Sequence, residues 1–251
     1  MKTNTTQIRT AAGPKEFKVA TPAKWLQARR KLLAKEKEFT RLRDQLASQR
    51  RKMPLELVEK NYVFDGPNGK ETFEDLFDGK GQLIVYHFMF APEDEEGCRG
   101  CSFWADNFNG IDAHLRARDT SFVCISRAPY KQLKAYQKRM GWNFKWLSAD
   151  GNSFPYDFNA SYTPEQVSGK ADKALFNFEL ETPWDEDTTG ISVFCRDTKG
   201  RIYRSYSCYK RGVEIVNGTY HFLDLTPKGR DEATQKPHPM AWVRRHDSYE
   251  E

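Results

Sequence analysis

A nearly continuous apolar run, QLIVYHFMF at residues 82–90, is followed, after seven intervening residues, by two cysteines spaced Cys-x-x-Cys. An apolar run without alternation is typical of a strand that is buried on both faces of a sheet. The segment after Cys98 and Cys101 has apolar residues at helical spacing. A buried strand that passes through a cysteine pair into a helix restricts the chain to α/β arrangements with a sheet and crossover helices.

The rest of the chain continues this alternation. Further buried strands are predicted at SFVCIS (121–126) and KWLSAD (145–150), with helices from the cysteines to about residue 117 and from Pro129 to Gly141. GISVFCRD and RIYRSYSCY predict a closing hairpin, and a last helix follows it. This order predicts an α/β, thioredoxin-like fold, in which a central mixed sheet has flanking helices and the cysteine pair follows the first central strand.

Charge divides the chain unevenly. Residues 1–52 contain fifteen Lys and Arg and four Asp and Glu, so they carry +11 in a chain of net charge +5. We expect a flexible tail at 1–20, a basic amphipathic helix at 21–53, a thioredoxin-like domain at 55–225 with an irregular insertion at about 150–187, and a C-terminal tail at 226–251. No zinc-finger spacing or RNA-binding aromatic pattern accompanies the basic segment, so nucleic acid is not expected as a partner.

The predicted N-terminal helix carries one apolar stripe. Thr21 and Pro22 suit the cap and the first position of a helix, and Trp25, Leu32, Phe39 and Leu46 then recur every seven residues. Two interpretations fit this stripe. The helix packs on its own domain, or it pairs with a second copy and forms a homodimer.

The sequence also indicates a compartment. No run approaches the roughly 20 apolar residues of a membrane span, and the N-terminus has no apolar segment of a secretory signal. We therefore expect a cytoplasmic protein with no membrane partner. Its five cysteines do not form a disulfide framework, and Cys124, Cys195 and Cys208 are predicted to be buried structural thiols in strands.

Cys98 and Cys101 are the predicted catalytic residues. A helix N-terminus stabilises a thiolate, which is the reactive form of cysteine. Cys98 would attack a substrate and Cys101 would resolve the mixed disulfide. The acidic residues 93–96 oppose thiolate formation, and Arg99 partly offsets them. The favoured hypothesis is an oxidoreductase that acts on a thiol, a disulfide or a small-molecule substrate and requires no cofactor.

Two other interpretations of the protein stay open. In the first, Cys98, Cys101 and His238 bind copper if the C-terminal tail folds over the cleft, for transport or for oxidation of a small molecule. Zinc is not favoured, because no second Cys-x-x-Cys supplies the remaining ligands. In the second, the chain is a non-catalytic interaction protein whose basic helix is the functional part. His87 lies inside the apolar run and is predicted to be a core residue.

Arg127 is a weaker candidate. It lies at the end of the second central strand, at the carboxyl edge where α/β proteins bind ligands. Its side chain would anchor an anionic ligand, or it would form a structural ion pair with the acidic loop. A peroxiredoxin-type peroxidase is disfavoured, because Ala91 and Glu95 stand where that pattern requires Pro and Thr or Ser.

Five motifs carry a family resemblance: LIVYHFMF, EGCRGCSFWADNFNGIDAHL, SRAPY, NGTYHFLDLTPKGRDE and PMAWVRRHD. From about Trp25 to His246, the chain resembles a bacterial and fungal thioredoxin-like family known as a domain of unknown function. The resemblance implies a thioredoxin-like fold with Cys98 and Cys101 as the active pair. The chain differs from thioredoxins in having Gly97 before the pair and no cis-proline before the facing strand, where Gly190 stands. These differences weaken a general disulfide-reductase role and favour a metal role.

Overall fold

A computed structural model describes residues 7–10 and 13–249, with side chains from residue 17 onward. These residues form two compact units. One comprises Pro54–Gly218 and Gln235–Glu251, and the other comprises Met1–Met53 and Thr219–Thr234. Within the described residues, no helix is long and apolar enough to cross a membrane.

The described strands and helices are numbered in chain order. The strands are β1 Gln7–Thr10, β2 Gly13–Lys18, β3 Glu56–Leu57, β4 Val63–Gly66, β5 Gly69–Thr72, β6 Gln82–His87, β7 Thr120–Ser126, β8 Lys145–Ser148, β9 Ala174–Phe176, β10 Glu179–Glu181, β11 Gly190–Arg196 and β12 Ile202–Tyr209. The α-helices are α1 Pro22–Arg50, α2 Arg99–Ala105, α3 Ile111–Arg116, α4 Tyr130–Arg139, α5 Phe154–Asp157, α6 Pro164–Val167 and α7 Gly218–Asp224. Short 3₁₀ helices span Asp75–Phe77, Lys210–Val216, Pro239–Trp242 and His246–Ser248.

The main sheet has eight strands in the order β3-β12-β11-β6-β7-β8-β4-β5. Strands β6, β7 and β8 are parallel, whereas β11 runs antiparallel to both β6 and β12. The apolar run at 82–90 supplies β6, which lies between β7 and β11. This mixed sheet, with helices in the crossovers and a closing hairpin, confirms the predicted thioredoxin-like fold.

An aromatic cluster fills one side of the sheet. Phe154 is 0% exposed, and its ring centroid lies 5.0 Å from that of Tyr62, 5.1 Å from that of Phe64 and 4.6 Å from that of Phe158. Several of these rings meet edge to face, the arrangement that the aromatic quadrupole favours. Leu83 and Val85 of β6 belong to the same cluster, so the central strand is anchored directly in the core.

Two predicted helices are shorter than expected. The helix predicted from the cysteines to about residue 117 is two helices, α2 and α3, separated at Gly110. Gly110 has φ +84°, a left-handed conformation that does not continue an α-helix and that glycine adopts without strain. The predicted last helix begins as the 3₁₀ helix Lys210–Val216 before α7.

The insertion at 150–187 has some regular structure. It contains α5, α6 and the small antiparallel hairpin of β9 and β10. Thr163 and Gln166 cap α6 reciprocally, because each side chain binds the backbone N–H of the other. This capping box fixes the start of α6 within the insertion.

The smaller unit contains α1 and a hairpin of β1 and β2. The hairpin lies in the segment 1–20, where the sequence predicted a flexible tail. The prediction is therefore wrong for these two strands. Residues 1–6 and 11–12 of that segment lie outside the described residues. Thr21 caps α1 by accepting from the N–H of Lys24. None of the residues of α1 is buried, so the apolar stripe is exposed.

Candidate functional site

The cysteine pair lies where β6 passes into α2. Cys98 is the N-cap residue of α2, and its N–H donates to the carbonyl oxygen of Met89 at 3.1 Å. Its own carbonyl oxygen accepts from both the N–H and the hydroxyl of Ser102, each at 2.9 Å. These bonds fix the backbone of Cys98 between the end of the central strand and the first turn of the helix.

The two thiols differ in exposure and in acidity. Cys98 is half-buried, whereas Cys101 is buried. A hydrogen bond from the Cys101 side chain, together with the backbone N–H groups of Cys101 and Gly100, lowers the pKa of Cys98 to about 7, although burial opposes the shift. Burial raises the pKa of Cys101 well above its ordinary value. At neutral pH the pair therefore presents one reactive sulfur, Cys98, with a protonated thiol behind it.

Two hydroxyl groups contact the buried sulfur. The Thr189 and Tyr86 hydroxyl oxygens lie 2.9 Å apart, and both side chains are within hydrogen-bond reach of Cys101. The N–H of Met89 also donates to the Cys101 sulfur, at 3.4 Å. Thr189 directly precedes β11, the strand beside β6. Sequence reasoning missed Tyr86 and Thr189, because only the pairing of β6 with β11 brings them to the cysteines.

A cleft of about 460 Å³ opens beside Cys98. Its walls come from the loop after β6, the end of β7, the end of the insertion and the C-terminal segment. Six carboxylate side chains and three arginines line it, namely Glu93, Asp94, Glu96, Asp185, Glu186, Asp187, Arg99, Arg127 and Arg245. The half-buried thiol can therefore be reached by a substrate of moderate size.

Arg127 lies in the wall of this cleft, where a residue that anchors a ligand would have to lie. It also forms an ion pair with Asp187. Its guanidinium donates to both carboxylate oxygens of Asp187, at 2.8 and 3.2 Å. Asp187 also accepts from the Ser161 hydroxyl at 2.6 Å. The ion pair predicted from the sequence therefore forms with the end of the insertion and not with the acidic loop at 93–96, which was the expected partner.

The C-terminal segment supplies another wall. Arg245 donates to the carbonyl oxygen of Gly97 and to the Tyr136 hydroxyl, each at 2.8 Å, and lies 2.7 Å from a carboxylate oxygen of Glu96. The ring of Trp242 packs 5.6 Å from that of Phe103 in α2. The tail therefore holds the loop that precedes Cys98. Arg245 lies in the motif PMAWVRRHD, one of the sequence signals that pointed to this segment.

The histidines do not join the cysteines. His238 is exposed, just before the 3₁₀ helix Pro239–Trp242. No group of three or more His, Cys, Asp or Glu among the described residues is arranged to hold a metal ion, so the expected set of Cys98, Cys101 and His238 is not assembled. His87 is buried and lies 2.9 Å from the Ser192 hydroxyl, as predicted for a core residue, and burial lowers its pKa to about 3.

The sequence matches one family model over residues 14–249, described as bacterial protein of unknown function (DUF899). The chain therefore belongs to this family, and the resemblance found in its motifs is confirmed. No curated protein matches the chain.

Solved structures with a similar fold include two peroxiredoxins, each a mutant in which serine replaces a cysteine. PrxQ from Xylella fastidiosa is 12% identical, with a TM-score of 0.42 over 68% of this chain and 97% of its own. Peroxiredoxin Q from Xanthomonas campestris is 13% identical, with a TM-score of 0.45 over 67% and 96%. A putative protein disulfide isomerase from Bacteroides thetaiotaomicron is 16% identical, with a TM-score of 0.34 over 65% and 86%. At such identities we infer no activity from these structures.

Proposed function

We propose that this member of the DUF899 family is a thiol–disulfide oxidoreductase with Cys98 as the attacking residue and Cys101 as the resolving residue. The main support is the asymmetry of the pair. Cys98 opens into a cleft and has a pKa of about 7, whereas Cys101 is buried behind it with a raised pKa. A redox pair needs this division of roles, because only one sulfur should meet the substrate.

In the first step, the Cys98 thiolate attacks one sulfur of a substrate disulfide. A bond forms between Cys98 and that sulfur, the substrate S–S bond breaks, and the second substrate sulfur leaves as a thiolate that takes a proton from water. The N–H groups of Gly100 and Cys101 stabilise the Cys98 thiolate before the attack. The leaving sulfur departs into the cleft, whose wall at this point includes Arg99.

In the second step, Cys101 attacks the sulfur of Cys98 and the substrate leaves as a second thiol. Two electrons have then passed to the substrate, and Cys98 and Cys101 are joined by a disulfide. An external dithiol returns the pair to its reduced form. Cys101 must lose its proton before it attacks, and the hydrogen bonds from Thr189 and from the N–H of Met89 favour its thiolate.

A peroxidase reaction receives less support from the same loop. The residues where a peroxiredoxin requires Pro and Thr or Ser are Ala91 and Glu95. Ala91 is buried and uses its N–H to bind the Asp94 carboxylate at 2.8 Å, so this part of the loop is arranged around an acidic side chain. A carboxylate here would repel a peroxide anion.

A trapping experiment tests the proposal. The chain is incubated with 2-hydroxyethyl disulfide at pH 7, quenched with acid and measured by intact mass. We expect the wild type to lose two hydrogen atoms and keep no adduct, and Cys101→Ser to keep one mixed disulfide on Cys98. Cys98→Ser should react only slowly at its four remaining cysteines.

The control is Cys195→Ser, because Cys195 is also a half-buried free thiol but burial raises its pKa. This variant should behave as the wild type does. The proposal fails if Cys195 is modified as fast as Cys98, or if the wild type keeps its adduct as long as Cys101→Ser does.

A further inference from the structure

Helix α1 contains 29 residues, and none of them is buried. Trp25 is 61% exposed, Leu32 is 55% exposed and Phe39 is 65% exposed. An isolated helix gains little from its backbone hydrogen bonds alone, and most helical stability in proteins comes from packing of an apolar face. A helix of this length with large exposed apolar side chains therefore requires a partner for that face.

The spacing of the apolar residues identifies the kind of partner. Trp25, Leu32, Phe39 and Leu46 are seven residues apart, and Ala28 and Leu42 lie three residues after the first and third of them. These are the a and d positions of a coiled coil, extended over four heptads. Lys35 and Gln49 occupy the other two d positions. Such polar positions cost stability and restrict the register and the number of strands.

The charges beside the stripe are complementary between two parallel copies. In a parallel coiled coil, a g residue lies beside the e residue that is five positions further along in the partner helix. Lys31 then meets Glu36 of the second copy, and Glu38 meets Arg43. By symmetry each pair occurs twice. The like-charged pair of Lys24 with Arg29 is relieved in part, because Arg29 lies 2.8 Å from Glu36 of its own helix.

We infer that α1 pairs with α1 of a second copy of this chain as a parallel, two-stranded coiled coil. The stripe from Trp25 to Leu46 forms the seam, and the pairs Lys31–Glu36 and Glu38–Arg43 flank it. No residue of the cysteine site takes part in this seam, so the coiled coil and the proposed oxidoreductase activity can be tested independently.

Sedimentation equilibrium of the full chain tests the inference. The expected mass for the wild type is twice the monomer mass of 29.2 kDa. Leu32→Lys places a charge in the seam, and we expect it to raise the dimer dissociation constant by about 100-fold or more. The matched control is Leu33→Lys, the next residue on the same helix and a leucine outside the seam, which should change that constant by less than about threefold.

A charge exchange tests the parallel arrangement. Glu38→Arg and Arg43→Glu should each weaken the dimer several-fold, because each leaves like charges facing each other. The double variant should restore the dissociation constant of the wild type. Residues 38 and 43 do not face each other on one helix, so this rescue can come only from the partner helix.

A wild type that sediments as a monomer at tens of micromolar would overturn the inference, as would a trimer. Equal effects of Leu32→Lys and Leu33→Lys would also overturn it. If the double variant is as weak as the single variants, the parallel arrangement is wrong. Near-ultraviolet circular dichroism of each variant verifies that the larger unit is folded, so that a lost dimer is not mistaken for a lost fold.

Discussion

The α/β unit and helix α1 use large apolar side chains in opposite ways. In the α/β unit, Phe154 is fully buried and contacts five other rings of the aromatic cluster. In α1, Phe39 is one of four large side chains of a stripe that is exposed throughout. The α/β unit holds its aromatic core within one chain, whereas α1 leaves its apolar stripe exposed.

This difference separates two kinds of information in the sequence. Apolar runs such as 82–90 indicate burial within the chain, and this run does form a central strand of the sheet, β6. An apolar residue at every seventh position, as in α1, indicates that this face of the helix is buried. It does not indicate which molecule buries it. The cysteine site depends on the first unit alone, because β6, α2, β11 and the C-terminal segment supply its residues.

The largest expected contrast comes from one substitution made in both regions. Phe154→Ala should lower the free energy of unfolding of the α/β unit by about 3–5 kcal/mol, because it leaves a cavity in a close-packed cluster. Phe39→Ala should change that free energy by less than about 0.5 kcal/mol. Urea denaturation followed by near-ultraviolet circular dichroism measures both. Equal losses would contradict the comparison.

Polar groups of the site should show the same contrast between buried and exposed positions. Arg127→Leu leaves the buried Asp187 carboxylate without its partner, and we expect a loss of about 3 kcal/mol at pH 7. The loss should shrink as the pH falls and Asp187, whose pKa burial already raises, becomes protonated.

The matched control is Arg139→Leu, which removes an exposed arginine that also pairs with two carboxylates, Glu96 and Asp247. It should cost less than about 1 kcal/mol. The same urea titrations measure both variants. If the loss of stability by Arg127→Leu is accompanied by unchanged affinity for every anionic substrate tested, Arg127 has a structural role and does not bind ligand.

The pH dependence of alkylation separates the site thiol from the other half-buried thiol. A pKa of about 7 predicts that the rate at Cys98 rises by about tenfold between pH 6 and pH 8 and then levels off, because the thiolate fraction saturates. The rate at Cys195, whose pKa burial raises, should still be rising above pH 9. Iodoacetamide labelling and peptide mass spectrometry measure both rates. A plateau for Cys98 only above pH 9 would contradict its assigned role.

The smallest effect is expected from a substitution beside the buried sulfur of Cys101. Thr189→Val removes a hydrogen bond that lowers the pKa of Cys101, so its thiolate forms less readily. We expect the second step to slow by about three- to tenfold, as for the loss of one hydrogen bond, with no change in the attack by Cys98. Stopped-flow release of thiol from the mixed disulfide measures this step. Thr188→Val is the control and should leave both steps unchanged.

Local patterns predicted much of the α/β unit. The strands at 82–87, 120–126 and 145–148 and the hairpin of β11 and β12 follow from apolar runs and turns that are visible in the sequence. The position of Cys98 at the head of a helix follows from the same pattern. The break at Gly110 was missed, because the apolar stripe of α2 and α3 continues across it.

The surroundings of the cysteines could not be predicted in this way. Asp187 binds Arg127 across 60 residues, and Arg245 reaches Gly97 across 148. Thr189 meets Cys101 only because β11 pairs with β6. Such contacts depend on strand pairing and on the path of the insertion and the tail, and no local periodicity encodes them.

The central claim is that Cys98 and Cys101 form a redox pair. The most direct test is a thiol count by alkylation and intact mass across a series of redox buffers, on protein purified without chelator. The account predicts that these two cysteines change together from free to bridged at one potential, with no metal mass, while Cys124, Cys195 and Cys208 remain free thiols. The account is contradicted if the pair resists alkylation without forming a bridge and a chelator releases it.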